Sequence, residues 1–256
     1  VESNNPVFRN SGSTRTAKQI GDVEYLYNSP SATSAQTGRL SMDDVVVKTG
    51  FLFLLLALSA GFSWAANLGA GAMMIAMLGG MGLGMYNSFA RTVHPIAVGI
   101  YAVAEGIFLG VISHVYETAY NGIVGQAVLA TAATFLGALF AYKSKKIRIT
   151  PKTYRMAMVA IFAWVGIGLF SMISSFFGVG HGYGFYGVSG LGLLLATGGV
   201  LLAAFFIILD FDMVDRAIAS NAPREEAWRM GFGLMVTIVW LYLQILQLLG
   251  MLRDNN

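Results

Sequence analysis

Long apolar runs alternate with short polar connections along this chain, and the runs are too long for the buried elements of a soluble domain. Seven stretches stand out: Gly50–Ala66, Leu68–Phe89, Pro95–Tyr116, Gly122–Tyr142, Met156–Phe177, Gly187–Leu209 and Gly231–Leu252. A helix rising 1.5 Å per residue needs about 20 mostly apolar residues to cross a hydrocarbon core about 30 Å thick. Each stretch is of that order once the first borrows Val45–Thr49. Barrel strands are excluded by run length, since they are about 10 residues of alternating character. The pattern therefore predicts an all-α integral membrane protein, a bundle of seven transmembrane helices over residues 45–256. Residues 1–44 are expected to form a flexible polar tail. Val1–Thr37 is rich in Ser, Thr, Asn and Gly and contains no apolar run of the signal-peptide kind.

Composition agrees, with 56% hydrophobic and 11% charged residues. A soluble domain carries about 25% charged residues, so too few are present here to cover a water-facing surface. The net charge of +3 is explained by topology and gives no reason to expect a nucleic-acid partner. With the N-terminus in the cytosol, the cytosolic connections hold Arg91, then Lys143, Lys145, Lys146, Arg148, Lys152 and Arg155, then Arg216, Arg224 and Arg229. The opposite loops hold none, and Arg253 alone falls on the far side with the C-terminus. This asymmetry predicts an N-in, C-out orientation. The chain has no cysteine, which removes disulfides, thiolate metal sites and a Cys nucleophile. There is no P-loop, no His-x-x-x-His and no intramembrane protease constellation, so neither an enzyme nor a resident cofactor is expected.

Glycine is abundant, 31 residues. Gly80 and Gly84 in the second run, and Gly106 and Gly110 in the third, have the four-residue spacing that lets helices approach closely. Tight packing inside one bundle is the expected use, with dimerisation through these faces as the alternative.

Ionisable groups inside lipid are costly and mark candidate sites. Glu105 lies about 15 Å into the third span by helical rise. Asp210 ends the sixth run, and Phe211, Val214 and Ile218 recur at helical spacing, so that helix should continue past it. Asp212 and Asp215 then belong to a solvated helix end. In the seventh run Trp240, Gln244 and Gln247 share one helical face, which should point into the bundle, either as interhelical glue or as part of a site. His94, His114 and His181 are scattered near span ends without metal-ligand spacing.

Several ordered segments resemble the Bax inhibitor-1 family, also called the transmembrane Bax inhibitor motif family, in its bacterial branch. They are Ser-Asn-Asn-Pro-Val-Phe-Arg (3–9), Met42-Asp-Asp-Val-Val-Val-Lys-Thr, Tyr101-Ala-Val-Ala-Glu-Gly-Ile-Phe-Leu-Gly, Tyr142-Lys-Ser-Lys-Lys-Ile-Arg-Ile-Thr-Pro, Leu209-Asp-Phe-Asp and Val236-Thr-Ile-Val-Trp-Leu-Tyr-Leu-Gln-Ile-Leu-Gln-Leu-Leu. The resemblance implies a seven-helix bundle with the seventh helix central, in the bacterial cytoplasmic (inner) membrane. It also implies a pH-sensitive calcium leak, with calcium as the transported ion. In that scheme an aspartate of the sixth helix shares a proton with a carboxylate of the seventh. Carried over, the sixth-helix aspartate is Asp210, and the seventh-helix carboxylate falls on Gln244, which cannot ionise. Glu105 is then the candidate second carboxylate and Arg91 the candidate counter-ion. Some bacterial relatives are similar to modulators that bind a membrane-anchored FtsH-type protease. That alternative needs no ion path and makes the tail the contact.

Overall fold

Helix boundaries follow from local capping chemistry. The computed structural model describes residues 38–145, 149–182, 184–187 and 190–254. The expected tail up to residue 37 lies outside them, as do Lys146 and Arg148 of the basic connection and the side chain of His181. The first helix, α1 (Met42–Ala65), starts before its apolar run because the Ser41 hydroxyl accepts the Asp44 N–H and Asp43 and Asp44 occupy the first turn. It stops at Asn67, which takes a left-handed φ of 48°. Then come α2 (Ala70–Phe89), α3 (Pro95–Ala119), with proline in its first turn, and α4 (Ile123–Lys143). The Glu117 carboxylate accepts the N–H groups of Gly122 and Val124 at 2.6 and 3.0 Å and so caps α4 from the end of α3. Thr150 caps α5 (Pro151–Phe176). Two short 3-10 turns lead to α6 (Leu191–Ala219), and α7 (Ala227–Asp254) closes the chain. As expected from Phe211, Val214 and Ile218, α6 continues well past Asp210.

Six of these helices are long and apolar enough to cross a membrane, which makes this a multi-pass membrane protein. The exception is α2. Its Gly71, Gly79, Gly80, Gly82 and Gly84, and the polar Tyr86-Asn87-Ser88 near its end, dilute a run that the sequence pattern counted as a span.

Hydrogen bonds between connections define the two ends of the bundle. At one end Arg229 donates to the carbonyls of Ala90 and Arg91, Leu40 N–H to Ala222, and Arg216 to Ile149. This end gathers the start of α1 and the α2–α3, α4–α5 and α6–α7 connections, where the basic residues concentrate. At the other end Arg253 of α7 donates to Asn121 and Gln126, and Tyr120 bonds to Asp254. The packing centres on three clusters. One joins α1, α3 and α7 through Leu52, Val98, Leu109 and Met235; a second joins α4, α6 and α7 through Ile123, Ile207, Leu241 and Ile245. The third joins Leu40 and Val45 to Val214, Ala227 and Leu234. Helix α7 contributes to all three and packs on α6, α1, α4 and α3, whereas the main neighbour of α2 is α3.

The glycine pairs act inside the bundle. A Cβ on Gly106 would collide with the Leu56 carbonyl and the Ser59 hydroxyl, and one on Gly110 with Ala60 and Ser63, all on α1. Gly80 and Gly84 face Glu105 and Tyr101 of α3.

Candidate functional site

Helical geometry brings the two intramembrane carboxylates to one place. A cavity of about 640 Å³ lies among α2, α3, α6 and α7, and both Glu105 and Asp210 line it. Its wall on α2 is Met77, Gly80, Met81, Gly84 and Met85, and α7 supplies Phe232, Gly233, Val236 and Thr237. The cavity exists because α2 meets α3 through glycines. A Cβ on Gly80 would stand 3.4 Å from Glu105 Oε2, at contact, so the carboxylate lies where a side chain longer than alanine on α2 would reach.

Each carboxylate has one polar neighbour. The Tyr101 hydroxyl, one turn before Glu105 on α3, is the polar group beside it in the cavity lining. Across the cavity, Thr237 of α7 is the polar neighbour of Asp210 and donates to the Gly233 carbonyl at 3.2 Å. A hydroxyl carries a single proton, so a Thr237 hydroxyl engaged with Gly233 has none to give Asp210. The second carboxylate oxygen of Asp210, Oδ2, is buried and has no hydrogen-bond partner among the described residues. An acceptor left unpaired in a low-dielectric setting is costly unless something else solvates it. What the site offers is therefore carboxylate oxygen, hydroxyl oxygen and space, the donor set that hard cations take.

The structure does not bring Gln244 to Asp210. Gln244 packs on Gly199 of α6 and Trp164 of α5. A Cβ on Gly199 would come within 2.6 Å of the Gln244 amide carbon and 2.7 Å of the Trp164 ring. Gly199 lies about 16 Å along α6 from Asp210, and Gln244 about 10 Å along α7 from Thr237, by helical rise. The pairing drawn from the resemblance is corrected on this point: α6 runs far enough past Asp210 to put the aspartate level with Thr237. The Gln244 Oε1 atom is buried without a partner among the described residues, so its face does point into the bundle.

Arg91 is exposed, and the group it contributes to the packing is its backbone carbonyl, held by Arg229. The ion pairs among the described residues are Asp212–Arg216, Asp44–Arg224 and Glu226–Arg229; none joins Arg91 to Asp210. Asp212 thus pairs one turn along its own helix, and Asp215 accepts from the Tyr142 hydroxyl, in keeping with a polar helix end. His94 precedes α3 as its cap residue, and His114 stacks edge-on against Trp64. No three of His, Asp and Glu among the described residues converge as a metal set.

Sequence reasoning missed Tyr101 and Thr237, although spacing carried a signal for both. Tyr101 is four residues before Glu105, and Thr237 is seven before Gln244, so each shares a helix face with a residue already singled out.

These features describe a helical, multi-pass membrane protein with an acidic cavity between its helices. A family model described as Bax inhibitor 1 like matches residues 5–254, and the chain belongs to that family. No curated protein matches it.

Proposed function

We propose that this protein is a passive cation leak, with calcium as the transported ion, and that Asp210 and Glu105 are its ion-facing groups. The observation that carries this reading is the single cavity lined by both carboxylates, with one Asp210 oxygen lacking a partner. In this reading all seven helices cross the membrane around α7, and α2 tolerates its glycines because one flank borders the cavity. The basic end faces the cytosol, by the excess of Lys and Arg there, and the membrane is a bacterial inner membrane. Catalysis and a resident cofactor have no part in it. Carboxylate oxygens replace hydration oxygens around a passing cation, and Thr237 can shift its proton between Asp210 and Gly233 as the charge at Asp210 changes.

The test is calcium entry into dye-loaded proteoliposomes for the native protein, Asp210→Asn and Glu105→Gln. The native protein should leak above empty liposomes. Each substitution should lower the rate by roughly tenfold, the equivalent of about 1.4 kcal/mol of lost ion stabilisation. A native protein no leakier than empty liposomes overturns the channel reading.

A second reading, binding to a membrane-anchored FtsH-type protease, is supported by the polar composition of residues 1–37. Deleting those residues should abolish capture of such a partner and spare a leak.

A further inference from the structure

The residues just before and inside the first turn of α1 do more than start a helix. Arg39 pairs with Pro223 as an isolated antiparallel bridge. Leu40 N–H donates to the Ala222 carbonyl at 2.8 Å. Arg224 Nε donates to Asp44 Oδ1 at 2.7 Å, and Asp44 also holds the Ser41 hydroxyl at 2.6 Å. Lys48 Nζ reaches the Arg224 carbonyl at 3.3 Å and lies over the Trp228 ring. The segment from Arg39 to Lys48 is thus tied to the α6–α7 connection and the start of α7 through backbone, ion pair and side chain together.

It is also tied through the core. Leu40 is 4% exposed and Val45 1%, and they pack with Val214 of α6 and with Ala227 and Leu234 of α7. Val214 is one helical turn from Asp210, and Leu234 is three residues from Thr237, so each lies on the same side of its helix as the cavity residue. The cluster beneath Arg39–Asp44 is therefore the layer directly next to the Asp210–Thr237 contact.

We propose that Arg39–Asp44 is a strap that sets access to the Asp210 cavity by holding the α6–α7 hairpin, with Asp44–Arg224 as its latch. Any partner that pulls on the chain ahead of Arg39 draws first on these contacts. Releasing the latch frees the ends of α6 and α7 to move, and α2, anchored mainly to α3, does not restrain them.

This rests on the cavity being the working site, yet it can be read without ion flow. The chain has no cysteine, so a Val236→Cys substitution puts one thiol in the cavity wall of the full-length protein in liposomes. The measurement is the rate at which a small cationic methanethiosulfonate labels it. Asp44→Asn and Leu40→Ser should each raise the rate several-fold. The charge swap Asp44→Arg with Arg224→Asp should bring it back toward the native value. Thermal unfolding run in parallel verifies that each variant is folded. Equal rates in folded native, Asp44→Asn and Leu40→Ser proteins overturn the strap, and so does a swap that restores nothing. If labelling follows the latch while no variant passes calcium, the strap stands and the channel reading falls.

Discussion

Helix α3 makes two glycine-lined contacts, and they come out differently. Toward α1, Gly106 and Gly110 lie on the α3 side, and what they meet is the short Ser59 and Ser63 side chains and the carbonyls of Leu56 and Ala60. The two helices approach closely enough for these groups to touch, and both serine hydroxyls find carbonyl acceptors. Ser63 donates to the Ile107 carbonyl at 3.2 Å, and on the flank toward α7 Ser113 and Tyr242 share a hydrogen bond of 2.7 Å. Toward α2, the glycines are on the other partner, and what they meet is the side chains of Glu105 and Tyr101. A carboxylate and a phenol now fill the space that close approach would have removed, a cavity remains, and an Asp210 oxygen goes unpaired. The same four-residue spacing of small residues thus seals the α1–α3 contact itself, although a cavity of about 800 Å³ flanks it toward α4 and α7, and opens the contact with α2. What decides is whether the facing residues are small or long and polar.

The largest expected effect comes from breaking the sealed side. Gly110→Leu inserts a side chain where even a Cβ would be 2.9 Å from the Ala60 Cα. Overpacking of this kind costs about 3 kcal/mol or more, so the protein should lose most of its thermal stability in detergent or fail to fold. A native-like unfolding temperature would show that α1 can slide away from α3, and the seal would then be loose. Next in size is Tyr242→Phe, which leaves the Ser113 hydroxyl to find another hydrogen-bond partner. A loss of about 1 kcal/mol is expected, read as a shift in the chemical unfolding midpoint, and Ser113→Ala added to it should cost little more. Full additivity of the two changes would mean that the pair does not act as a unit. Smallest is Gly80→Ala on the open side. Its Cβ would sit at ordinary contact distance from Glu105, and alanine is the better helix former by up to about 1 kcal/mol. Stability should stay level or rise slightly, and a clear fall would show that the cavity wall is as tightly set as the α1 interface.

Much of this was legible along the chain. The apolar runs predicted the helices because the lipid solvent demands about 20 apolar residues per crossing whatever the tertiary arrangement, and six helices meet that demand. The second run does form a helix, Ala70–Phe89, though it is not among the six. Its length is right, but glycine and the polar Tyr86-Asn87-Ser88 lower its apolar character below that of the others. Helix starts at Ser41 and Thr150 also follow from local sequence, since a cap bonds within three residues. Glu105 and Asp210 were legible as candidates, because a carboxylate in an apolar run is conspicuous without any fold.

Their neighbours were not legible, because depth and rotation of one helix against another depend on packing. That α6 continues past Asp210 was legible from Phe211, Val214 and Ile218, and Ser220 caps it, but its depth against α7 was not. That longer α6 places Asp210 beside Thr237, and it leaves Gln244 against Gly199 and Trp164. Nothing in residues 39–44 announces contact with residues 222–224, some 180 positions later; only the folded bundle brings those ends together. The sequence by itself determined which segments enter the membrane and which polar groups go with them, since each segment meets that solvent on its own. Which of those groups share a cavity was decided by the tertiary structure, because it depends on where neighbouring helices are small enough to close and where they are not.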